Sequence, residues 1–339
     1  MNIKDMSAHI RRPVIAVLLA MCLSLAGCIN NTPGLCGIYL EFVYDYNMGY
    51  SDTFDPQVEC VDVYVFDDGG TYLFTKHASS AELTQGNRMF LGDDLRYGKY
   101  KILTVGGMTE HFGVSAGGGA LIPGSTRLED VCVALNRESG TVSHELAPVW
   151  VGPTIIIDYK ADLSVHRVSL IKNTNRFNLF LFKTDGDGTR AETASCTFEI
   201  ATPEGASYAH DNSPITKETV TYTPYSLLPG EGEGEISKGN LNTARLLYRE
   251  NYDYTLTVRE TGSGKRLWSY DLMKLLEHTK PDLRPDGSAL PMQEYLDRQS
   301  EWHIIILYEG EIEPDEPEAF IAVAVRINGW LVWLHDIDL

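Results

Sequence analysis

Residues 58–74, VECVDVYVFDDGGTYLF, decide the fold. Val58 to Phe66 is an alternating run rich in β-branched residues. Asp67-Asp68-Gly69-Gly70 has turn composition, and Thr71 to Phe74 resumes the strand pattern, so the stretch predicts two strands joined by a tight turn. The same signature recurs outward in both directions. Toward the N-terminus Ile38 to Tyr44 reads as a strand. Toward the C-terminus Lys99 to Val105 follows Arg96-Tyr97-Gly98 and is closed by Gly106-Gly107, and Thr141 to Leu146, Val165 to Leu170 and Phe177 to Phe182 continue the series.

Beyond Phe182 the theme repeats at Ser195 to Ile200, Thr219 to Tyr222, Leu246 to Tyr248, Tyr252 to Arg259, Lys265 to Tyr270, Trp302 to Tyr308 and Phe320 to Ile327. Two helical pieces interrupt it. Asp271 to His278 places Leu272, Leu275 and Leu276 on one face, and Pro291 to Arg298 opens with a proline, whose fixed φ suits a helix start. Ile327-Asn328-Gly329-Trp330 is the sharpest local signal, because Asn-Gly tolerates positive φ at both turn positions. It predicts a terminal hairpin with a last strand from Trp330 to about Ile337. Short strands separated by turn residues at this spacing predict a mainly β chain built of β-sandwiches. Gly152-Pro153, within Pro148 to Asp158, marks the expected break between residues 36–155 and 156–339.

The first thirty residues carry a different message. Lys4, Arg11 and Arg12 precede an apolar run from Val14 to Ala26 that only Ser24 interrupts. These thirteen residues span about 20 Å as a helix, against about 30 Å for a hydrocarbon core, so the run reads as a signal peptide and not as an anchor. Leu25-Ala26-Gly27-Cys28 resembles the bacterial lipobox. Residues 1–27 are then the lipoprotein signal, the Cys28 sulfur takes a diacylglycerol, and residues 28–35 form a polar tether holding the chain to the membrane. Removing the signal, with its three basic residues and one acidic, leaves 312 residues and a net charge of −21. A polyanion without a basic stripe repels phosphate backbones, which argues against a nucleic-acid partner.

Several fragments imitate catalytic or metal-binding motifs. Gly113-Val114-Ser115-Ala116-Gly117 matches G-x-S-x-G, but an elbow needs a following helix, and Gly118-Gly119-Ala120 and Pro123 break one, so a flexible loop is expected. Asp185-Gly186-Asp187-Gly188-Thr189 opens like a calcium loop, yet Cys196 stands where the bidentate glutamate belongs. Gly230 to Glu235, GEGEGE, interleaves acids that would repel phosphate. The nine histidines form no zinc motif. No enzyme activity, cofactor or metal is expected.

With Cys28 lipidated, four cysteines remain. Cys196 alternates with Phe198 and Ile200 and reads as a buried thiol. Cys36 paired with Cys60 or with Cys132, or an unbridged set, stays open. Tyr39, Tyr44, Tyr46 and Tyr50, with Trp330 and Trp333, are either sheet and core aromatics or an exposed platform for sugars.

Several of these features, taken in order, resemble the FimB/Mfa2 family of Bacteroidales fimbrial anchor and assembly lipoproteins. They are the lipobox, Cys36 leading into a strand, Val-Tyr-Val-Phe-Asp at 63–67, Tyr-Gly-Lys-Tyr-Lys-Ile-Leu-Thr-Val-Gly-Gly at 97–107, Lys-Asn-Thr-Asn at 172–175 and Tyr-Leu-Asp-Arg-Gln-Ser-Glu-Trp at 295–302. The resemblance implies two tandem transthyretin-like β-sandwich domains, with short helices in the second. It also implies a lipid-anchored place in the outer membrane at the cell surface, and fimbrial shaft subunits as partners engaged by strand pairing. The alternative is a tip adhesin or glycan-binding surface lipoprotein.

Overall fold

The computed structural model describes residues 37–107, 110–160, 162–184, 196–231, 234–309 and 321–334. The signal peptide, Cys28, the tether and Cys36 lie outside the described residues. The first half contains β1 (Ile38–Val43), the short helix α1 (Phe54–Gln57), β2 (Cys60–Asp67), β3 (Tyr72–Ser79), β4 (Arg88–Phe90), β5 (Gly98–Gly106), β6 (Phe112–Ala116), β7 (Val131–Leu135), β8 (Thr141–Val142), β9 (Trp150–Tyr159), β10 (Ser164–Ser169) and β11 (Ile171–Lys172). The second contains β12 (Thr174–Lys183), β13 (Cys196–Thr202), β14 (Ser207–Ala209), β15 (Val220–Tyr222), β16 (Ser226–Pro229), β17 (Glu235–Ala244), β18 (Thr255–Glu260), β19 (Arg266–Asp271), the helices α2 (Leu272–Glu277) and α3 (Met292–Arg298), β20 (Glu301–Glu309), β21 (Ile321–Ile327) and β22 (Trp330–Trp333). The chain is mainly β, and its strands stack as sandwiches.

The hairpin at residues 58–74 forms as read. β2 and β3 pair antiparallel, and the turn is closed by the Gly70 N–H donating to Asp67 O at 2.9 Å and the Thr71 N–H to Asp67 Oδ1 at 2.8 Å. It lies in a five-stranded sheet, β11-β9-β5-β2-β3, faced by the three-stranded β10-β1-β4. Ile38, Leu40, Phe42, Val61, Val63, Val65, Ile102 and Val168 fill the space between them. The opposite face of the five-stranded sheet carries Leu103 and Val105 into a second core. That core runs past β14-β7-β6 and on between the sheets β19-β18-β13-β15-β8 and β16-β17-β12-β20-β21-β22, through Val131, Val133, Phe177, Leu179, Phe198, Leu256 and Ile304.

The strand pairing crosses the expected break. Residues 155 and 156 sit inside β9, and β10 runs parallel to β1 from Ile38↔Ser164 to Val43↔Ser169, so the first half's ladders extend to Lys172. The Gly152-Pro153 punctuation is a bulge. Ile102 pairs with Ile155 and Thr104 with Gly152, leaving Pro153 and Thr154 opposite Leu103, which is where a central strand can hold a proline. Gly152 lets β10 approach, since a Cβ there would stand 2.7 Å from Val168 Cγ1. The halves are stitched again by β14 against β7 and β15 against β8.

Three local readings change. Gly113 to Ala116 is strand β6, turned back by Gly117 and Gly118 at positive φ, and not a loop. Leu246 to Tyr248 is not a strand; Leu246 and Leu247 are buried, and the Leu247 N–H donates to Tyr254 Oη at 2.9 Å. The strand expected over Thr141 to Leu146 stops at Val142, and the Leu146 N–H donates to Asn242 Oδ1 at 3.0 Å. Both helices form, α2 capped by the Asp271 carboxylate, which accepts from the Met273 N–H at 2.8 Å.

Candidate functional site

Two places stand out: the polar junction between the halves and the terminal hairpin of the C-terminal sheet. The junction gathers two of the motifs that carry the family resemblance. From residues 172–175, Asn173 and Asn212 exchange side-chain hydrogen bonds at 2.6 and 3.0 Å, and Asn175 Oδ1 accepts from Trp302 Nε1 at 3.2 Å. From residues 295–302, Asp297 is a buried carboxylate. It accepts two bonds from the guanidinium of Arg245 at 2.6 and 2.7 Å, and Arg245 also donates to Asn212 O at 2.6 Å. A buried ion pair is tolerated where its remaining hydrogen-bonding groups are satisfied, as they are here.

Arg298 completes the junction. Its guanidinium lies 4.2 Å from the ring centroids of both Tyr46 and Tyr50 and donates to Asp45 O at 3.0 Å and Asn47 O at 3.2 Å. Glu294 accepts from Arg298 Nε and from Arg284 Nε, each at 2.8 Å. The Arg284 guanidinium, seconded by Arg298, holds the Glu294 carboxyl down at about 2. Tyr46 and Tyr50 therefore clamp a cation across the two halves. Tyr44 is buried, edge-on to Trp150 at 5.8 Å. Tyr39 packs on Phe90 at 5.0 Å. Of the two readings of these tyrosines, the four pack as sheet and core aromatics do.

The terminal hairpin forms as read, with Asn328 at φ 47° and Gly329 at φ 92° and Ile327 opposite Trp330. β22 itself ends at Trp333, short of the expected Ile337, since Leu334 has left the strand; residues 335–339 lie outside the described residues. Trp330, Leu331 and Trp333 are 64%, 42% and 47% exposed.

The motif mimics separate. Ser115 lies mid-strand opposite Cys132, with no helix after it, so it has no elbow geometry. The His111 and His144 rings lie 4.9 Å apart, tilted by 32°, beside an open depression of about 860 Å³ shared with Asn136, Arg137 and Glu138. Among the described residues no three His, Cys, Asp or Glu side chains converge in a metal-binding group. Gly230 and Gly234 flank the β16–β17 turn; Asp185 to Thr189 lies outside the described residues. Cys196 is a buried free thiol pushed up to about 12 by burial. Cys132 Sγ lies 2.9 Å from Ser207 Oγ, and Cys60 begins β2 half-buried.

Comparison with known proteins adds the following. The family model of fimbrillin-A associated anchor proteins Mfa1 and Mfa2 matches residues 31–336. The minor fimbrium anchoring subunit Mfa2 of Porphyromonas gingivalis is 21% identical, over 97% of this chain and 98% of that protein. A crystal structure of a proposed adhesin from Bacteroides ovatus is 40% identical with a TM-score of 0.81, covering 89% of this chain and 97% of its own. The crystal structure of the fimbrial anchor protein Mfa2 from Porphyromonas gingivalis, 18% identical over 88% of this chain and 98% of its own, shares the fold with a TM-score of 0.66.

Proposed function

Since the chain belongs to the family of fimbrillin-A associated anchor proteins, we propose that it is the anchoring or accessory subunit of a fimbria. In this reading Cys28 carries acyl chains that hold it in the outer membrane at the cell surface, and it engages shaft subunits by strand pairing. The observation that carries the reading is the extent of the family match, residues 31–336. It runs through both halves and the junction that locks them, where a borrowed sandwich module would match one half only. Leu25-Ala26-Gly27-Cys28 supports the lipid.

The first described strand suits this role. A pull on a lipid at Cys28 would enter through β1, which is laddered in parallel to β10 over six residue pairs and flanked on its other side by β4. A load along a strand axis must shear its ladder bonds together. A bridge from Cys36 to Cys60 or Cys132 would stiffen the same entry, and the mass of the unreduced mature protein reads it.

Cys28→Ser tests the anchor. The expected outcome is a folded protein, with fimbriae of normal appearance released into the medium. Fimbriae that stay attached to cells making only Cys28→Ser would overturn the lipid-anchor reading.

A further inference from the structure

The two ends of β1 meet different surroundings. Just past its C-terminal end, Asp45 O and Asn47 O accept from Arg298 of α3 at 3.0 and 3.2 Å, which fastens that end to the second half of the chain. Six residues at about 3.3 Å each put the other end about 20 Å away. There Gly37 O accepts from the Ser164 N–H at 3.0 Å, and Ile38 O from the Leu91 N–H at 2.9 Å. Tyr159, the last residue of β9, pairs with Gly98, the first of β5. The starts of β1, β10 and β5 and the ends of β4 and β9 therefore meet at this end of the first sandwich.

Apolar side chains gather on it. On the outward face of β10-β1-β4 the first rung is Phe90, Tyr39 and Val165 in register. Tyr97 packs edge-on to Tyr159 at 5.1 Å, and Leu163 precedes Ser164 in the turn from β9 to β10. Tyr97, Leu163 and Val165 are 70%, 51% and 42% exposed. The next rung of the same face is Arg88, Glu41 and Arg167, with Arg88 Nε donating to Glu41 Oε2 at 2.8 Å and Arg167 reaching Asp45 at 2.5 Å. Apolar groups and tyrosines thus stand at the tip and arginines one rung behind it, an order that suits the boundary between hydrocarbon and headgroups.

Charge points the same way. Residues 37–43, 88–99, 158–160 and 162–167, which meet there, carry five basic and five acidic side chains. Of the acids, Asp94 is paired with Lys76 at 2.5 Å and Asp158 with Lys160 at 2.9 Å. The acidic turn Asp67-Asp68 follows β2, on the far side of β5 from β9. In a mature chain of net charge −21, a neutral end is one that an anionic bilayer repels less than the average surface. Chain length supplies the occupant. Cys28 stands nine residues before Gly37, and even a fully extended connection keeps the two within about 32 Å.

We propose that this end of the first sandwich, with Tyr97, Leu163 and Val165 at its tip, rests on the bilayer that the acyl chains of Cys28 enter. The inference rests on the lipid-anchor reading above and assigns the face that the anchored protein turns to the membrane. The second half, fastened to the opposite end of β1, then points away from the lipid.

The test compares amide exchange in the lipidated mature protein on vesicles of phosphatidylethanolamine and phosphatidylglycerol with exchange in the mature-length Cys28→Ser protein free in solution. On vesicles, residues 96–97 and 162–163 are expected to exchange several-fold more slowly, while the β18–β19 turn keeps its solution rate. Combining Tyr97→Ser with Leu163→Ser is expected to abolish the slowing and to move the thermal midpoint little, since neither side chain belongs to a core. Should that variant prove unfolded, Val165→Ser reads the same tip from within a strand and is expected to lessen the slowing. Lipidated protein on vesicles with solution rates at both loops would overturn the docked face and leave the lipid anchor standing. Slowing that appears without vesicles as protein concentration rises would overturn it in favour of contact between copies. A mature protein whose mass shows Cys28 unmodified would overturn the anchor reading and, with it, the membrane as occupant.

Discussion

Glu204 has no exposed surface, and neither of its carboxyl oxygens is within hydrogen-bonding geometry of a partner among the described residues. Burial is the main cause that raises its pKa from 4.5 to about 7, against weak opposition from the nearby Thr202 and Tyr254 hydroxyls. The consequence for stability has a definite sign. Below pH 4.5 the carboxyl is protonated whether the chain is folded or not. Between pH 4.5 and about 7 the folded protein holds a proton that the unfolded chain has released, so this group's contribution falls as pH rises, and above about 7 the full penalty, roughly 3 kcal/mol, is present. Glu204→Gln should therefore be close to neutral at pH 4.5 and stabilise the fold by a few kcal/mol at pH 8, as read from denaturant midpoints at the two values. A gain that does not grow with pH would show that the carboxyl is not held protonated. Little of this is legible in Ala201-Thr202-Pro203-Glu204 itself. Its burial comes from Tyr208, Tyr222 and Tyr254, which lie around it in the fold. Tyr46 and Tyr50 illustrate the same limit, because the cation they clamp belongs to a helix whose last residue lies 253 positions beyond Asp45.

At the scale of elements, legibility follows how local the cause is. The hairpins at residues 67–70 and 328–329 are written in their turn residues, and α2 and α3 in Asp271, Pro291 and the spacing of their leucines. β17 is invisible to hydrophobic alternation because its buried positions include Ser237, Gly239 and Thr243 beside Leu241; small and polar side chains fit there because Phe198 fills the space, 2.6 Å from where a Gly239 Cβ would stand. β9 hides behind Gly152-Pro153, whose bulge is set by its partner β5 and not by its own composition. The terminal hairpin offers a clean test of local cause. Gly329 stands at φ 92° with no heavy atom within 4 Å of a built Cβ, so Gly329→Val adds backbone strain without a clash, on the order of 1–2 kcal/mol. Amide exchange should quicken at Trp330 and Val332, whose bonds to β21 depend on that turn, while the β2–β5 ladder keeps its protection. Equal exchange in both variants would mean that packing of Ile327 and Val332, and not the turn, holds β22 in place.

Across the whole molecule, the two-sandwich reading holds as an architecture, while the strands refuse the cut at residue 155. A chain of residues 28–155 would keep the hairpin that announces the fold, yet it would leave β1 with only three-residue β4 beside it, end β9 midway, and strip β7 of β14 and β8 of β15. Leu103, Val105, Val131 and Val133, which the second core buries completely, would face water. Each such side chain loses about 1.5–3 kcal/mol on exposure, and four of them together approach the 5–15 kcal/mol that separates a typical domain from its unfolded state. The fragment should therefore show no cooperative thermal transition and should bind a hydrophobic dye, whereas the full mature chain should melt cooperatively, with single-tryptophan variants that keep Trp150 or Trp302 reporting the same midpoint. A sharp, reversible transition in the fragment would show that the first sandwich is self-sufficient and that the junction at Arg245, Asp297 and Arg298 merely joins two finished domains. Loss of the transition would instead make the second half a structural requirement of the first, so that the half following the proposed membrane tether and the half beyond it hold their shape as one body.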